Sequence, residues 1–190
     1  PCGSFGGHFD NHKIEASRTG GTWADKYGSK VRHWDAAPPP EYFYELFRVS
    51  KNQIIWGGNY FALPPTRCFV IWRKLTISEN FSMAMCEYAW SSFNMNAKIF
   101  ECVPQGSSGE KRFHPTQKPV ALYQWLLRRF AKPGDKIIDT HAGSASSLIA
   151  CHGAGYEYIG FELDNDYYRM AKERLNNAKR QLDLFNADNS

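Results

Sequence analysis

Two stretches carry residue types that could do chemistry. Asp139-Thr-His-Ala-Gly-Ser-Ala-Ser-Ser147 places an acid at the end of the short apolar run Lys136-Ile-Ile and follows it with a turn of small residues. Small side chains let a backbone come close to a ligand, and an acid roughly 20 positions later, ending the next strand, is placed to take ribose hydroxyls. Glu162, after Tyr156-Glu-Tyr-Ile-Gly-Phe161, stands there. The turn holds one glycine, Gly143, and lacks the G-x-G-x-x-G of a dinucleotide site. Asp139 would repel a pyrophosphate and attract a cation such as an amine or sulfonium. These residues favour S-adenosylmethionine over a nicotinamide cofactor. A plain strand-to-helix turn capped by Asp139 is the other reading of the same loop.

The second stretch is Arg112-Phe-His-Pro-Thr-Gln-Lys-Pro119. Prolines on both sides of Thr116, Gln117 and Lys118 stiffen the loop that offers a hydroxyl, an amide and an ammonium, a set suited to gripping a carboxylate. Pro119 alone would be explained as the first residue of a helix.

The elements that must position these groups alternate. Tyr42, Phe43, Leu46 and Phe47 share a face of a helix over 41–50, and Gln53–Trp56 reads as a buried strand ended by Gly57-Gly58. Strands are expected at Cys68–Trp72, within Cys86–Phe93 and at Lys98–Val103. A helix over Val120–Phe130 puts Ala121, Leu122, Trp125, Leu126 and Phe130 on one face and stops at Lys132-Pro-Gly134. After the Lys136–Asp139 strand come a helix from about Ser146 to Cys151, a strand at 156–161, and a long helix capped by Asp164. Its apolar stripe is Tyr168, Ala171, Leu175, Ala178 and Leu182. Alternation of this kind predicts an α/β fold on a largely parallel sheet. Residues 1–40, rich in glycine, charge and proline, read as a long loop, 41–110 as one set of strands with a helix, and 111–190 as the cofactor half of a single domain.

With 190 residues, 43% of them hydrophobic, the chain can bury a core and is not a disordered segment. The formal charge of +4 mildly favours a polyanionic partner. The five cysteines, Cys2, Cys68, Cys86, Cys102 and Cys151, form no C-x-x-C pair, which predicts a reduced compartment. His8, His12 and Glu15 could imitate a metal-binding face, but their glycine-rich flanks argue for a loop and no metal is expected. No apolar run approaches the ~18 residues of a membrane span, so a soluble cytoplasmic protein is expected.

His114-Pro-Thr-Gln-Lys-Pro119, Asp139–Ser147 and Gly160-Phe-Glu-Leu-Asp164 together resemble the DNA amino-methyltransferases that act on adenine N6 or cytosine N4. Trp34-Asp35 and the run from Glu41 to Phe61 are similar to the phage and bacterial adenine-specific members, including those of restriction-modification systems. The motif order, with the catalytic region first and the cofactor loop last, resembles the β group. The resemblance implies a Rossmann-like S-adenosylmethionine-dependent fold with helices on both faces of a mostly parallel sheet. It implies that Asp139, His141, Gly143 and Ser144 line the methionine end, that Thr116, Gln117 and Lys118 hold its carboxylate side, and that Glu162 takes the ribose.

In that family the catalytic motif is Asp-Pro-Pro-Tyr, and Pro1-Cys2-Gly3 aligns with its end. The strand leading to it and its acid would then precede residue 1, with Cys2 where a base-stacking aromatic is expected. The resemblance implies a double-stranded DNA substrate, with Trp56, Asn59 and Tyr60 as stacking or filling groups. Lys74 and Arg112, with Arg67, Arg73 and Lys111, are candidate phosphate ligands. Gln181, Leu182, Leu184 and Phe185 resemble a sliding-clamp docking peptide, although Leu182 and Phe185 also continue the last helix's stripe. Members of the group often pair, so a homodimer is one implied arrangement. A catalytically silent cofactor-binding or DNA-binding subunit is the second function class these residues allow.

Overall fold

The computed structural model describes residues 37–80, 84–104 and 112–187, with side chains to residue 182. The expected loop over 1–40 lies almost wholly outside them. So do Pro1, Cys2, Gly3, His8, His12, Glu15, Trp34 and Lys111. The elements from Pro39 onward form one compact unit.

Helix α1, Pro40–Val49, has a proline in its first turn, where no backbone N–H is missed. Its half-buried positions are Tyr42, Phe43, Leu46 and Phe47, the face its spacing predicts. Strand β1, Ile54–Trp56, leads through Gly57 into a 3-10 turn at Gly58–Tyr60. Strands β2, Phe69–Lys74, β3, Cys86–Ser91, and β4, Lys98–Cys102, complete a sheet in the order β1-β3-β2-β4. Strand β3 is antiparallel to both β1 and β2, whereas β2 and β4 are parallel. The three strands other than β3 therefore run one way.

Helix α2, Val120–Phe130, ends just before Pro133-Gly134, at the bounds expected from the sequence. It forms a wall shared by two clusters. Leu126 and Phe130 pack with Val70 and Ala89 of the four-stranded sheet and with Cys68 just before β2, while Leu127 packs with Ala150 and Cys151. Contact on two sides rotates the buried stripe. Leu127 is buried and Ala121 exposed, where the sequence placed Ala121 on the inner face.

Strand β5, Lys136–Asp139, pairs in parallel with β6, Glu157–Gly160, and the crossover between them is helix α3, Ser146–Gly153. Helix α4, Asn165–Ala187, follows. Its cap is the expected one: Asp164 Oδ1 accepts the N–H groups of Asp166 at 2.8 Å and Tyr167 at 3.0 Å. Ala171 is buried and Leu175, Ala178 and Leu182 half-buried, but Tyr168, expected on the same stripe, is 46% exposed. Cys151 lies in this core, where burial and the charge of Asp139 push its thiol up to about 12, so it stays protonated and inert. Among the described residues no helix is long and apolar enough to cross a membrane.

Candidate cofactor site

The carboxyl ends of β5 and β6 lie side by side, with Asp139 opposite Gly160. The loop after β5 is fastened there by the Ala142 N–H to Phe161 carbonyl bond, 2.8 Å, and by the Phe161 N–H to Asp139 carbonyl bond, 2.9 Å. Two carboxylates bracket it. Asp139 Oδ1 accepts the His141 N–H at 3.0 Å, and its Oδ2 accepts the Ser147 hydroxyl. Glu162 Oε2 accepts the Gly143 N–H at 2.9 Å, and its Oε1 the Asp164 N–H at 3.0 Å. Neither acid forms an ion pair among the described residues, and each keeps acceptor capacity beyond these bonds. A ligand with a cationic centre and hydroxyl donors fits this donor-poor, negatively charged rim.

Gly143 has φ +52, and a Cβ there would lie 3.2 Å from His114 Cε1. Glycine is favoured on both counts, by the left-handed backbone and by the close approach to His114. Ala145, at φ 61, also sits in the left-handed region and is the residue preceding α3. Relieving that conformation with glycine gains about 1–2 kcal/mol. The gain is offset by the lost burial of a methyl, about 0.8 kcal/mol, and by the freer unfolded chain, about 0.4–1 kcal/mol. Ala145→Gly is therefore expected to shift Tm by less than about 2 °C, whereas Ala145→Val is expected to lose about 2–3 kcal/mol. Thermal unfolding of the two variants checks this.

The His114–Pro119 loop is clipped to the cradle through His114. Its buried ring meets Tyr167 edge to face at 4.4 Å, and its Nδ1 accepts the Thr116 N–H at 3.3 Å. Burial, then the nearby Lys118 and Arg112 charges, lower its pKa to about 4. The unfolded imidazole takes a proton near pH 6.5 and the folded one only near 4. Stability is therefore full above about pH 6.5 and falls on acidification toward pH 4, by at most about 1.4 kcal/mol per pH unit. His114→Gln is expected to flatten that part of the stability curve in denaturant titrations at several pH values.

The structure brings Asp139, His141, Gly143 and Glu162 together at the ends of β5 and β6. Ser144 is 4% exposed and turns inward, its Oγ 3.1 Å from that of Ser146. Gln117 is also buried, its Oε1 accepting the Phe113 N–H at 3.3 Å. Lys118 lies on Glu87 at 2.9 Å, and Thr116 remains exposed with its hydroxyl 3.2 Å from His114 Nδ1. Trp56 ends β1 with the Lys118 ammonium 5.2 Å above its ring, and Asn59 and Tyr60 are exposed in the turn beyond. Arg73 is exposed and paired with Glu101 at 2.9 Å. Arg112 donates to the Pro115 carbonyl at 2.7 Å. Arg67 lies two residues before β2 and bonds Asn96. Lys74 is only 7% exposed, not the solvated surface charge its type suggests. Gln181 and Leu182 lie in the last turns of α4, and the side chains of Leu184 and Phe185 lie outside the described residues.

Four contributors were not singled out from the sequence. Tyr42 of α1 reaches the cradle, its hydroxyl 2.6 Å from Thr140 Oγ1. Ser147 holds Asp139. Arg174 of α4 donates to the Ser144 carbonyl at 2.6 Å and to Ser146 Oγ at 2.9 Å. Glu87 of β3 binds two lysines. Arg174 left a signal, a cation one helical turn from Ala171 on the apolar side of α4. Among the described residues no group of His, Cys, Asp and Glu could hold a metal ion.

The family model described as DNA methylase matches residues 23–173. A putative methylase, YubD, of Escherichia coli strain K12 is 39% identical over 71 residues, which are 37% of this chain and 31% of YubD. The type II methyltransferase M2.MboI of Moraxella bovis is 26% identical over 139 residues, 72% of this chain and 45% of that one. The chain thus spans under half the length of these curated relatives. Among solved structures, the M1.HpyAVI–SAM complex superposes with a TM-score of 0.50 at 20% identity, covering 73% of this chain and 85% of that one. That likeness gives the fold, a Rossmann-like methyltransferase fold. The matched span contains the fastened loop, its two acids and the His114 clip, and the chain belongs to the DNA methylase family.

Proposed function

We propose that the chain binds S-adenosylmethionine between Asp139 and Glu162 and serves methyl transfer to the exocyclic amino group of adenine in double-stranded DNA. The observation that carries the reading is the pair of acids at adjacent strand ends, neither of them paired with a cation among the described residues. Asp139 faces the charge requirement of an amine or sulfonium, and Glu162 that of ribose hydroxyls. The bound group supplies an electrophilic methyl on a cationic sulfur. The chain's own part is to fix the loop backbone through Asp139, Glu162 and Arg174, and to seat the nucleoside against it. Names of relatives, among them the DNA adenine methyltransferase YhdJ of Escherichia coli strain K12, 37% identical over 65 residues, support adenine as the target.

Trp56, Asn59 and Tyr60 are proposed to meet the extruded base. Tyr60, at 82% exposure, offers an open ring of the kind a base can stack on. Incubation with S-adenosylmethionine and unmodified DNA, followed by mass spectrometry of the nucleosides, tests the reading. Any methylated base formed is expected to be N6-methyladenine. N4-methylcytosine in its place would overturn the target, and binding without transfer would favour a silent cofactor-binding subunit.

A further inference from the structure

Helix α1 stands between two loops that belong to different sheets, and it meets them through adjacent residues. Successive side chains on a helix point about 100° apart, so Tyr42 and Phe43 straddle its inner face. The Tyr42 hydroxyl lies 2.6 Å from Thr140 Oγ1 and 3.4 Å from His141 Nδ1, and its ring meets the His141 ring edge to face at 5.5 Å. Phe43 is turned to the other loop, its ring 4.9 Å from that of Phe61. One helical turn on, Phe47 meets Trp90 at 5.7 Å, the residue against which Gly58 is packed. Thr140 and His141 follow Asp139 in the loop after β5, and Phe61 closes the 3-10 turn at Gly58–Tyr60.

The polar contact has a direction. Burial raises the Tyr42 pKa above its ordinary value, so the phenol keeps its proton. A phenol is the better donor and an aliphatic hydroxyl the better acceptor, so Tyr42 donates to Thr140 Oγ1. The Thr140 proton is then left for His141 Nδ1, 3.1 Å away. Two hydroxyls and a ring nitrogen thus run in series from α1 into the loop. Little else holds α1. It has ten residues, a length marginal for an isolated helix, and none of them is fully buried. Side-chain contacts on its inner face set its place, and an element of such low local stability moves with its anchors.

We propose that α1 is a strut coupling the loop after β5 to the turn at 58–61, with Tyr42 the positioning residue that passes the loop's movement to the turn. On the function proposed above, on which this rests, a methyl donor in the loop sets the surface that receives the base.

Hydrogen exchange read by NMR tests the strut, with S-adenosylhomocysteine as the probe. The reporters are the amides of Tyr60 and Phe61, which bond the Gly57 and Gly58 carbonyls at 2.9 and 3.4 Å. The Gly143 amide, inside the loop, reports occupancy. In the unsubstituted chain, saturating ligand is expected to slow exchange at Tyr60 and Phe61 about fivefold. Tyr42→Phe keeps the ring and removes the donor, and Thr140→Val removes the acceptor. In both, slowing at the turn is expected to fall below about twofold while that at Gly143 persists. Thr140→Ser keeps a hydroxyl and is expected to retain the full effect. A residue that only stabilised the fold would speed exchange with and without ligand and leave the ratio unchanged. An unchanged ratio in Tyr42→Phe, or no slowing at the turn of the unsubstituted chain when Gly143 is slowed, would overturn the strut.

The ligand-free rates separate this from the donor reading. If S-adenosylhomocysteine does not bind, the donor reading fails and the strut is decided without it. Thr140→Val, a change in the loop alone, is then expected to speed exchange at Tyr60 and Phe61 about threefold, with Trp72 in the centre of the four-stranded sheet unmoved. Unmoved rates at the turn would overturn the strut.

Discussion

Gly58→Ala is expected to destabilise the fold by about 3 kcal/mol, lowering Tm by about 6–12 °C. A Cβ at Gly58 would lie 2.4 Å from Trp90 Cβ and 3.1 Å from the Trp90 backbone nitrogen. Neither atom is the free end of a flexible side chain, so a strand must move. Trp90 is 5% exposed, and its indole N–H donates to the Pro64 carbonyl at 2.7 Å, which fixes it from the other side. The neighbouring Gly57 gives a control of different origin. It has φ +71, and its nearest contact for an added Cβ is the Tyr60 ring at 3.5 Å, so Gly57→Ala should cost only the left-handed penalty of about 1–2 kcal/mol. Equal losses from the two variants would show that Trp90 does not confine the Gly57-Gly58 turn.

Asp139→Asn is expected to remove the preference of the site for a cationic ligand. Calorimetric titration with S-adenosylmethionine and with the neutral thioether S-adenosylhomocysteine separates charge from shape. At an effective dielectric near 20, a carboxylate about 6 Å from a unit charge is worth about 3 kcal/mol. Screening reduces this, so a ten- to hundred-fold loss for the sulfonium and a much smaller one for the thioether are expected. Asparagine keeps an oxygen for the His141 N–H, so the loop's first bond survives. Equal losses for both ligands would make Asp139 only a cap for its own loop, the other reading of Asp139–Ser147.

The features legible in the sequence were those set by local chemistry. Prolines and glycines bounded α2, Asp164 marked the start of α4, and the acid-turn-acid pattern of Asp139, Gly143 and Glu162 marked the cradle. Features set by distant partners were not legible. Lys74, a candidate phosphate ligand by type, carried no sign of burial because its partner Glu87 becomes a neighbour only when β3 turns back along β2. The short link between those strands favours that antiparallel return, since a parallel partner needs a longer crossover. Ala121 was placed inside because one apolar face was assumed for α2. Contact on two sides selects Leu127 instead. Tyr42 and Ser147 carried no mark, since a half-buried tyrosine and a serine in a small-residue run are ordinary until the fold brings Thr140 and Asp139 to them.

The central claim is that Asp139 and Glu162 bracket a methyl-donor site and not a dinucleotide site. Calorimetric titration of the unsubstituted chain with S-adenosylmethionine and, separately, with NAD tests it most directly. One saturable site for S-adenosylmethionine, displaced by S-adenosylhomocysteine, with no heat from NAD, is the result expected. Saturable binding of NAD, or no saturable heat from S-adenosylmethionine, would contradict it.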